Sequence, residues 1–432
     1  MLLRKTYALL LLGALLLPGA TFAQTTTPQK TETEILIDKM KDEGMNRSQV
    51  MNTLMNNYLL VAIPMFLLAA NLMNAGSISD RLFAACNVLV GRIRGGLAQV
   101  DVLVSVLFAS MSGSAVADAA GPGLVTIRAM EKAGYPRGFA AAIVAASSVL
   151  GPIIPPSIPM VLYALIANAS VAALFLGGVI PGLLIAAAMM VVVAITAKRR
   201  NFPVEPPVPA AQRPRVLARA LLPLGMPAVL LGGIYGGVFT PTEAAAVAAL
   251  YALALAGVVY RELSAGSVFA AFLETGRQTA VILLMICGAF AVNYAVTAEQ
   301  LDKALAGWIG GLGLSPLGFL IAVNLLFLAL GCFIDATTML LVLVPVLLPT
   351  VAALGIDPVY FGVVIVFNIT IGLVTPPYGL LLFVLAALTK IPLGEIIREC
   401  WGLIASMVAV LALLVAFPDL VVWLPRVLGY LK

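Results

Sequence analysis

The chain has 432 residues, of which 62% are hydrophobic and 10% are charged, with a formal net charge of +5 and no histidine. Soluble domains contain about 25% charged residues, so this composition excludes an ordinary soluble fold. The absence of histidine excludes Ser-His-Asp and Cys-His catalysis and histidine metal sites, and we expect no enzyme. The cations lie between apolar stretches, as the positive-inside rule predicts for a membrane protein, so nucleic-acid binding is not expected.

The amino-terminal 49 residues differ from the rest of the chain. Arg4 and Lys5 precede an apolar run that ends at Leu17, and Ala23 stands before a polar stretch. This is the three-part pattern of a signal peptide cleaved after Ala23. The apolar run is also just long enough for an uncleaved first span. Both interpretations place the polar residues 24–57 outside the cytoplasm.

Long apolar stretches recur through the rest of the chain. They are continuous, whereas the strands of a membrane barrel alternate with period two. We therefore expect an all-α polytopic membrane protein with about ten spans, since a span needs roughly 20 apolar residues. The clearest stretches are Tyr58–Met73, Val171–Ala197, Val216–Val238, Ala244–Tyr260, Val281–Val296 and Ile404–Leu424.

A basic, proline-containing loop divides the chain into two halves. It carries six lysine and arginine residues and is expected in the cytoplasm. The predicted regions are a signal-like or first transmembrane segment with a polar periplasmic stretch (1–49), a first repeat (50–197), the basic loop (198–219), connecting scaffold helices (220–267) and a second repeat (268–432).

Two apolar segments interrupted by glycine and proline repeat at a constant spacing. Such breaks in matching positions are typical of secondary carriers, because non-helical backbone at membrane depth survives only where protein buries it or water reaches it. The alternative is that the breaks only kink helices for packing. The matched pairs are Gly134 with Gly355, Gly151 with Gly372 and Pro156 with Pro377, because 355 − 134, 372 − 151 and 377 − 156 all equal 221; Ser147 then falls opposite Asn368, and Ser114 opposite Asp335.

The breaks offer two kinds of ligand group. Unwound carbonyls with hydroxyl and amide oxygens suit a hard cation such as Na⁺, and the amino termini of half-helices suit a carboxylate. A single serine, such as Ser110 or Ser148, can equally well bond its own backbone. We predict a substrate and ion site, with the Na⁺ ligands in the same set, formed by Ser112, Gly113, Ser114, Ser147, Ser148, Gly151, Pro155, Pro156, Asp335, Asn368, Thr370, Gly372, Thr375 and Pro376.

Two carboxylates lie within apolar sequence, where an ionisable residue is a functional candidate. Asp335 follows a long apolar run, so it either joins an ion site and orients a hairpin tip or lies in a solvated turn. Asp118 either serves the site or caps a helix that begins near Gly121. By contrast, Thr240 and Glu243 before an alanine-rich helix predict a capping box rather than a site.

Several motifs in order resemble the large, DctM-like membrane subunit of the tripartite ATP-independent periplasmic (TRAP) transporters. The resemblance runs from about Val50 to the carboxyl end. The first 46 residues depart from it, because they lack the Gly-Val-Pro and Ala-Phe-Ala helix with which family members usually open. The motifs are Ala62-Ile-Pro-Met-Phe with Asn71-Leu-Met, Ser112-Gly-Ser-Ala-Val-Ala-Asp118, Gly151-Pro-Ile-Ile-Pro-Pro-Ser-Ile-Pro159, Thr240-Pro-Thr-Glu-Ala-Ala-Ala246, and Gly355-Ile-Asp-Pro with Thr375-Pro-Pro-Tyr-Gly379.

This resemblance implies an elevator-type fold of two inverted repeats, each with a re-entrant hairpin and a broken helix. The hairpin tips correspond to Ser112–Ser114 and Gly331–Asp335, and the broken helices to Ser147–Pro156 and Asn368–Pro377. It implies Na⁺-driven symport of small organic anions such as dicarboxylates across the bacterial inner membrane, with Na⁺ as coupling ion and no other cofactor.

The resemblance also implies partners for the chain. These are a small four-helix membrane subunit, a periplasmic substrate-binding protein, the organic-anion substrate and membrane lipid. Two alternatives remain open from the sequence. One is a stand-alone Na⁺/organic-anion symporter, and the other is a membrane scaffold that transports nothing.

Overall fold

The computed structural model describes residues 59–76, 78–204, 208–300, 307, 311 and 314–431. All regular secondary structure in these ranges is helical, which confirms the all-α fold class. The predicted signal-like segment and polar stretch, residues 1–49, lie outside the described residues.

The first half of the described chain consists of a bent pair of helices followed by the first repeat. The pair, α1 and α2, bends by 73°. In the repeat, α3 leads to a hairpin tip, and α4 and α5 lead away from it. The next two helices, α6 and α7, are the halves of a broken helix. The elements are α1 (Leu59–Ala75), α2 (Ile78–Val90), α3 (Gly96–Ser112), α4 (Ala115–Ala120), α5 (Pro122–Lys132), α6 (Arg137–Ser148), α7 (Ile158–Ala167) and α8 (Val171–Arg199).

Three helices connect the repeats: α9 (Arg213–Tyr235), α10 (Pro241–Ala254), which continues as a π-helical turn, and α11 (Ala265–Ala298). The hydroxyl of Thr240 accepts a hydrogen bond from the backbone N–H of Glu243, and the Glu243 carboxylate accepts one from the N–H of Thr240. The predicted capping box is therefore confirmed. α1 packs along α10 and α11.

The second repeat follows the layout of the first. The return limb of a hairpin is the part that leads away from its tip, α4 with α5 in the first repeat and residues 336–353 in the second. The second return limb starts and ends 221 residues after the first, since 336 − 115 and 353 − 132 both equal 221. The second broken helix starts at the same offset, since 358 − 137 equals 221. The repeat found in the sequence is thus a structural repeat. Its elements are α12 (Pro316–Gly331), α13 (Ala336–Ala353), α14 (Pro358–Gly372), α15 (Leu380–Thr389), α16 (Leu393–Ala416) and α17 (Asp419–Val427).

By length and composition, fewer of the described helices could span a membrane than the ten or so expected from the sequence. Six described helices are long and apolar enough, or up to seven if the bent pair counts as one span. Other apolar sequence forms helices of 10–17 residues, because hairpin limbs and halves of broken helices are shorter than a span. The predicted stretch Ile404–Leu424 is also not one helix, since Phe417 and Pro418 separate α16 from α17.

The two repeats interlock. The return limb of each hairpin packs against the second half of the other repeat's broken helix, α4 against α15 and α13 against α7. Tyr163 on α7 is buried, and its hydroxyl donates a 2.6 Å hydrogen bond to the carbonyl of Pro358 at the start of α14. Its ring lies against Gly362, where a Cβ would come within 2.3 Å of the ring. The two repeats are therefore joined by close packing of α7 against α14 as well as by the hairpins.

Candidate functional site

The tip of the first hairpin lies against the break of the first broken helix. α3 ends at Ser112, and Gly113 reverses the chain with φ +62°, a conformation that favours glycine. A Cβ at Gly113 would lie 2.6 Å from the carbonyl oxygen of Pro156 in the break. Ser114 then caps α4 by accepting a hydrogen bond from the N–H of Ala117. Glycine is thus required at the point where the tip and the break meet.

A buried carboxylate sits behind this tip. Asp118 is 1% exposed and accepts a hydrogen bond from the hydroxyl of Ser112 through Oδ1. Its Oδ2 has no hydrogen-bond partner among the described residues. A Cβ at Gly151 would lie 3.0 Å from that oxygen and 3.1 Å from the carbonyl oxygen of Ser114. Carboxylate and carbonyl oxygens therefore converge on Gly151, a donor set that suits a hard cation.

A second buried carboxylate joins α3 to the broken helix. Asp101 is 1% exposed, and its Oδ2 accepts a 2.7 Å hydrogen bond from the hydroxyl of Ser147 on α6. The neighbouring Ser148 bonds the carbonyl of Val144 on its own helix. Ser147 thus faces the hairpin, whereas Ser148 satisfies its own backbone.

The tip of the second hairpin meets the second break in the same way. A Cβ at Gly372 would lie 2.8 Å from the carbonyl oxygen of Gly331, and the N–H of Tyr378 donates to the carbonyl of Cys332. Asp335 caps α13 by accepting from the N–H groups of Thr337 and Thr338. Asp335 is therefore the N-cap of the return limb, directly at the second hairpin tip.

An amide pair takes the place of Asp101 and Ser147 in the second repeat. The Nδ2 of Asn368 donates to Oδ1 of Asn324 at 2.7 Å and to its carbonyl at 2.9 Å. Both side chains are buried, and Oδ1 of Asn368 has no partner within the described part of the chain. Thr370 and Thr375 bond carbonyls of their own helical turns. The second repeat thus offers an unused amide oxygen where the first offers a carboxylate.

Comparison with known proteins identifies the architecture. The family model "Tripartite ATP-independent periplasmic transporter, DctM component" matches residues 1–420. The chain is similar to the sialic acid TRAP transporter large permease protein SiaM of Vibrio cholerae, with 42% identity over 87% of this chain and 88% of the relative. The C4-dicarboxylate TRAP transporter large permease protein DctM of Pseudomonas aeruginosa is 41% identical over 86% of this chain and 87% of its own.

This chain belongs to the TRAP transporter DctM family. The recognition made from the motifs is confirmed, and the family match extends to residue 1, beyond the predicted start near Val50. The crystal structure of the YdaH transporter of Alcanivorax borkumensis, described as an unusual topology, matches with a TM-score of 0.57 at 18% identity, over 96% of this chain and 97% of that one. At that identity the likeness shows the fold alone.

Family membership confirms the predicted location of the chain and the prediction that it is not an enzyme. The TRAP permease subunits are transport proteins of the inner membrane, so the chain is a multi-pass inner-membrane protein, as expected. It is not an enzyme, because its family and relatives are transporter permeases. Its described helices agree with such a location by length and composition.

The structure distributes the predicted site residues of this TRAP permease over two places. In each repeat a hairpin tip abuts a helix break. The cis bonds Pro155-Pro156 and Pro376-Pro377 lie in these breaks. The tip and break of the first repeat contain Ser112, Gly113, Ser114, Gly151, Pro155 and Pro156. The tip and break of the second repeat contain Gly372, Thr375, Pro376 and the capping residue Asp335. The helices that lead into the breaks carry the remaining four, Ser147, Ser148, Asn368 and Thr370.

Sequence reasoning left out Asp101 and Asn324, and it left the role of Asp118 open. Asp118 does not cap the helix after Gly121, because it lies inside α4 and bonds Ser112. Asp101 and Asn324 carry no motif. An ionisable or amide side chain inside an apolar helix was the signal that would have found them.

Any cation here would be held by oxygens alone. Within the described ranges no group of three or more His, Cys, Asp or Glu side chains could hold a metal ion. The first place still offers a carboxylate, a hydroxyl and carbonyls around Gly151. This donor set excludes thiolate or imidazole ligation there and suits an alkali or alkaline-earth cation.

Proposed function

We propose that this TRAP permease subunit imports small organic anions, above all carboxylates, and that an inward Na⁺ gradient drives it. In this proposal a periplasmic binding protein delivers the substrate, and a small membrane subunit associates with the chain. The repeats move together as an elevator against the connecting helices.

One observation supports sodium coupling. The carboxylate of Asp118 is buried, and only one of its two oxygens has a hydrogen-bond partner among the described residues. Burying an ionised carboxylate costs several kcal/mol unless a cation or hydrogen bonds offset it. The hydroxyl of Ser112 occupies one oxygen, and the other faces Gly151 and the carbonyl of Ser114. A small hard cation at this position would neutralise the charge and bind the tip of the hairpin to the break. Sodium binding would thereby fix the geometry of the first half of the site.

The substrate class rests on two supports. SiaM and DctM are named for sialic acid and C4-dicarboxylates, which are carboxylates. In this chain α7 and α15 each begin directly after a break, and α15, which begins at Leu380, has no side-chain cap. The positive end of a helix dipole favours an anion. A carboxylate held between the breaks would have positive helix ends available to it.

The test is reconstitution of the chain with its small membrane subunit in liposomes. The cognate binding protein is added, loaded in turn with labelled sialic acid, a C4-dicarboxylate, a sulfonate and a zwitterion, and uptake is compared under inward Na⁺ and K⁺ gradients. We expect uptake that requires both Na⁺ and the binding protein.

Each other outcome selects a different function. Uptake that proceeds without the binding protein would establish a stand-alone symporter. Equal uptake with Na⁺ and K⁺ would remove the sodium coupling while leaving transport in place. A folded chain that moves none of the offered anions, sulfonates and zwitterions included, would be a membrane scaffold.

A further inference from the structure

An asparagine from the helix before the first repeat contacts the return limb of the first hairpin. Nδ2 of Asn74, near the end of α1, donates to the carbonyl of Ala117 on α4 at 3.4 Å. A Cβ at Gly121 would lie 2.1 Å from Oδ1 of Asn74. The asparagine therefore fits where the return limb has no side chain, at the boundary between α4 and α5.

A second asparagine makes the corresponding contact in the other repeat. Nδ2 of Asn293, on α11, donates to the carbonyl of Leu341 on α13 at 3.2 Å. This carbonyl would normally accept from the N–H of residue 345, but that residue is Pro345, which has none. Asn293 thus supplies the donor that the proline removes.

The two contacts lie in similar places in the two repeats, although they do not coincide at the offset of 221. Ala117 matches Thr338, three residues before Leu341, and Asn74 matches position 295, two residues after Asn293. In both asparagines Oδ1 is buried and has no hydrogen-bond partner among the described residues. In each repeat an asparagine amide therefore joins the return limb of the hairpin to a helix outside the repeat.

We propose that Asn74 and Asn293 are positioning residues of the transport cycle, each holding one hairpin against the helix before its repeat and releasing it when the hairpin moves. Each is a single hydrogen bond between uncharged groups, a contact weak enough to form and break. The inference deepens the proposed function, because it takes the moving parts from it.

Asn71 provides a matched control on the same helix. Its Nδ2 donates to the hydroxyl of Thr275 at 2.9 Å, and Thr275 lies on α11. This bond joins α1 to α11 and touches no hairpin. Asn71→Leu therefore removes an asparagine and a membrane hydrogen bond without releasing a return limb.

The experiment measures hairpin release by cysteine labelling in the full chain, in detergent and without substrate. The four native cysteines are first replaced by alanine. A single cysteine is then introduced at Val116 on α4 or at Phe333 at the second tip, both exposed. The rate of reaction with a polar maleimide is compared between the parent, Asn74→Leu, Asn293→Leu and Asn71→Leu.

We expect Asn74→Leu to raise the labelling rate at position 116 about fivefold, and Asn293→Leu to do so at position 333, the scale of one lost hydrogen bond. Asn71→Leu should leave both rates unchanged. In liposomes the two hairpin variants should change the maximal uptake rate and leave the Na⁺ concentration for half-maximal uptake unchanged. Uptake is expressed per folded molecule, because a smaller folded fraction alone would lower the maximal rate and leave that Na⁺ concentration unchanged.

Equal labelling rates in all three leucine variants would overturn the inference. Asn74→Ser and Asn293→Ser, whose side chains are too short to reach the carbonyls, replace any leucine variant that fails to fold. Labelling requires no transport. A parent chain that moves no substrate would therefore defeat the proposed function, while the labelling rates would still decide the role of the asparagines.

Discussion

The first and second repeats share one layout but differ in their buried polar groups. The first buries the carboxylates Asp101 and Asp118, whereas the second buries the amides Asn324 and Asn368 and, among its described residues, no carboxylate. At the offset of 221 Asp118 matches Met339. Glycines and prolines at the breaks are repeated, but the ligand groups are not. The duplicated breaks therefore set the shape of the site, and individual residues set its charge.

The largest expected effect comes from removing the charge of Asp118, a group that distinguishes the first repeat from the second. Asp118→Asn keeps the shape and the acceptor for Ser112, but it removes the carboxylate that would face a cation. We expect Na⁺-driven uptake to fall roughly 10- to 100-fold, the scale seen when a metal site loses a supporting group. The measurement is uptake by reconstituted protein at increasing Na⁺ concentration.

Asp357→Asn is the control for this substitution. Asp357 caps α14 at the end away from the break, and asparagine caps a helix about as well as aspartate, so uptake should stay near that of the parent. Equal losses in the two variants would show that the first repeat has no special need for its carboxylate.

The glycines at the two tip-to-break contacts test whether the layout is equally strict in both repeats. Gly113→Ala meets both a positive φ and a contact of 2.6 Å with the carbonyl of Pro156, while Gly372→Ala meets only a contact of 2.8 Å with that of Gly331. Each should reduce the free energy of unfolding by about 1–3 kcal/mol, with the larger loss for Gly113. Thermal unfolding in detergent measures both.

Gly232→Ala is the control, because nothing lies within 4 Å of the added Cβ on α9. Its Tm should equal or exceed that of the parent, since alanine favours a helix. A Gly113→Ala variant as stable as Gly232→Ala would refute the close contact at the first tip.

Tyr163→Phe removes a contact between the repeats without touching either break. The buried hydroxyl no longer donates to the carbonyl of Pro358, so the free energy of unfolding should fall by about 1 kcal/mol. Uptake per folded molecule should remain close to that of the parent. A large loss of uptake at unchanged Tm would place Tyr163 in the site instead.

The smallest expected effect concerns Pro345 and tests how Asn293 contacts the second hairpin. Pro345→Ala restores an N–H that can donate to the carbonyl of Leu341. In that background Asn293→Leu should raise the labelling at position 333 by about twofold instead of about fivefold, because the carbonyl keeps a donor. An effect of Asn293→Leu that stays fivefold would show that Asn293 does not act through Leu341.

Much of the fold was predictable because the signals that define it are local. Glycine and proline mark the breaks at Gly151 and Gly372, and the constant offset showed that they belong to one repeat. The capping box at Thr240 follows from residue types alone. The expected number of spans exceeds the six or seven found among the described residues, because hydropathy does not separate one half of a broken helix, such as α14, from a full span.

The polar contacts that complete the site were not predictable in the same way. Asp101 and Ser147 are 46 residues apart, and Asn324 and Asn368 are 44 apart, so only the packed hairpin brings them together. The two roles left open for Asp118, a site residue or a helix cap, could not be separated, because its burial cannot be read from the residues around it. Asn74 and Asn293 depend on carbonyls presented by other helices, which no local motif reveals.

The exchange of contacts between the repeats has a consequence for the origin of the chain. α4 reaches α15 and α13 reaches α7, so each hairpin packs in part on a surface of the other half. A polypeptide with one repeat could form these contacts only with a second copy of itself, across a symmetric interface of the kind that closes homodimers. The packing between α4, α7, α13 and α15 is therefore what gene duplication would leave of a subunit interface within a single chain.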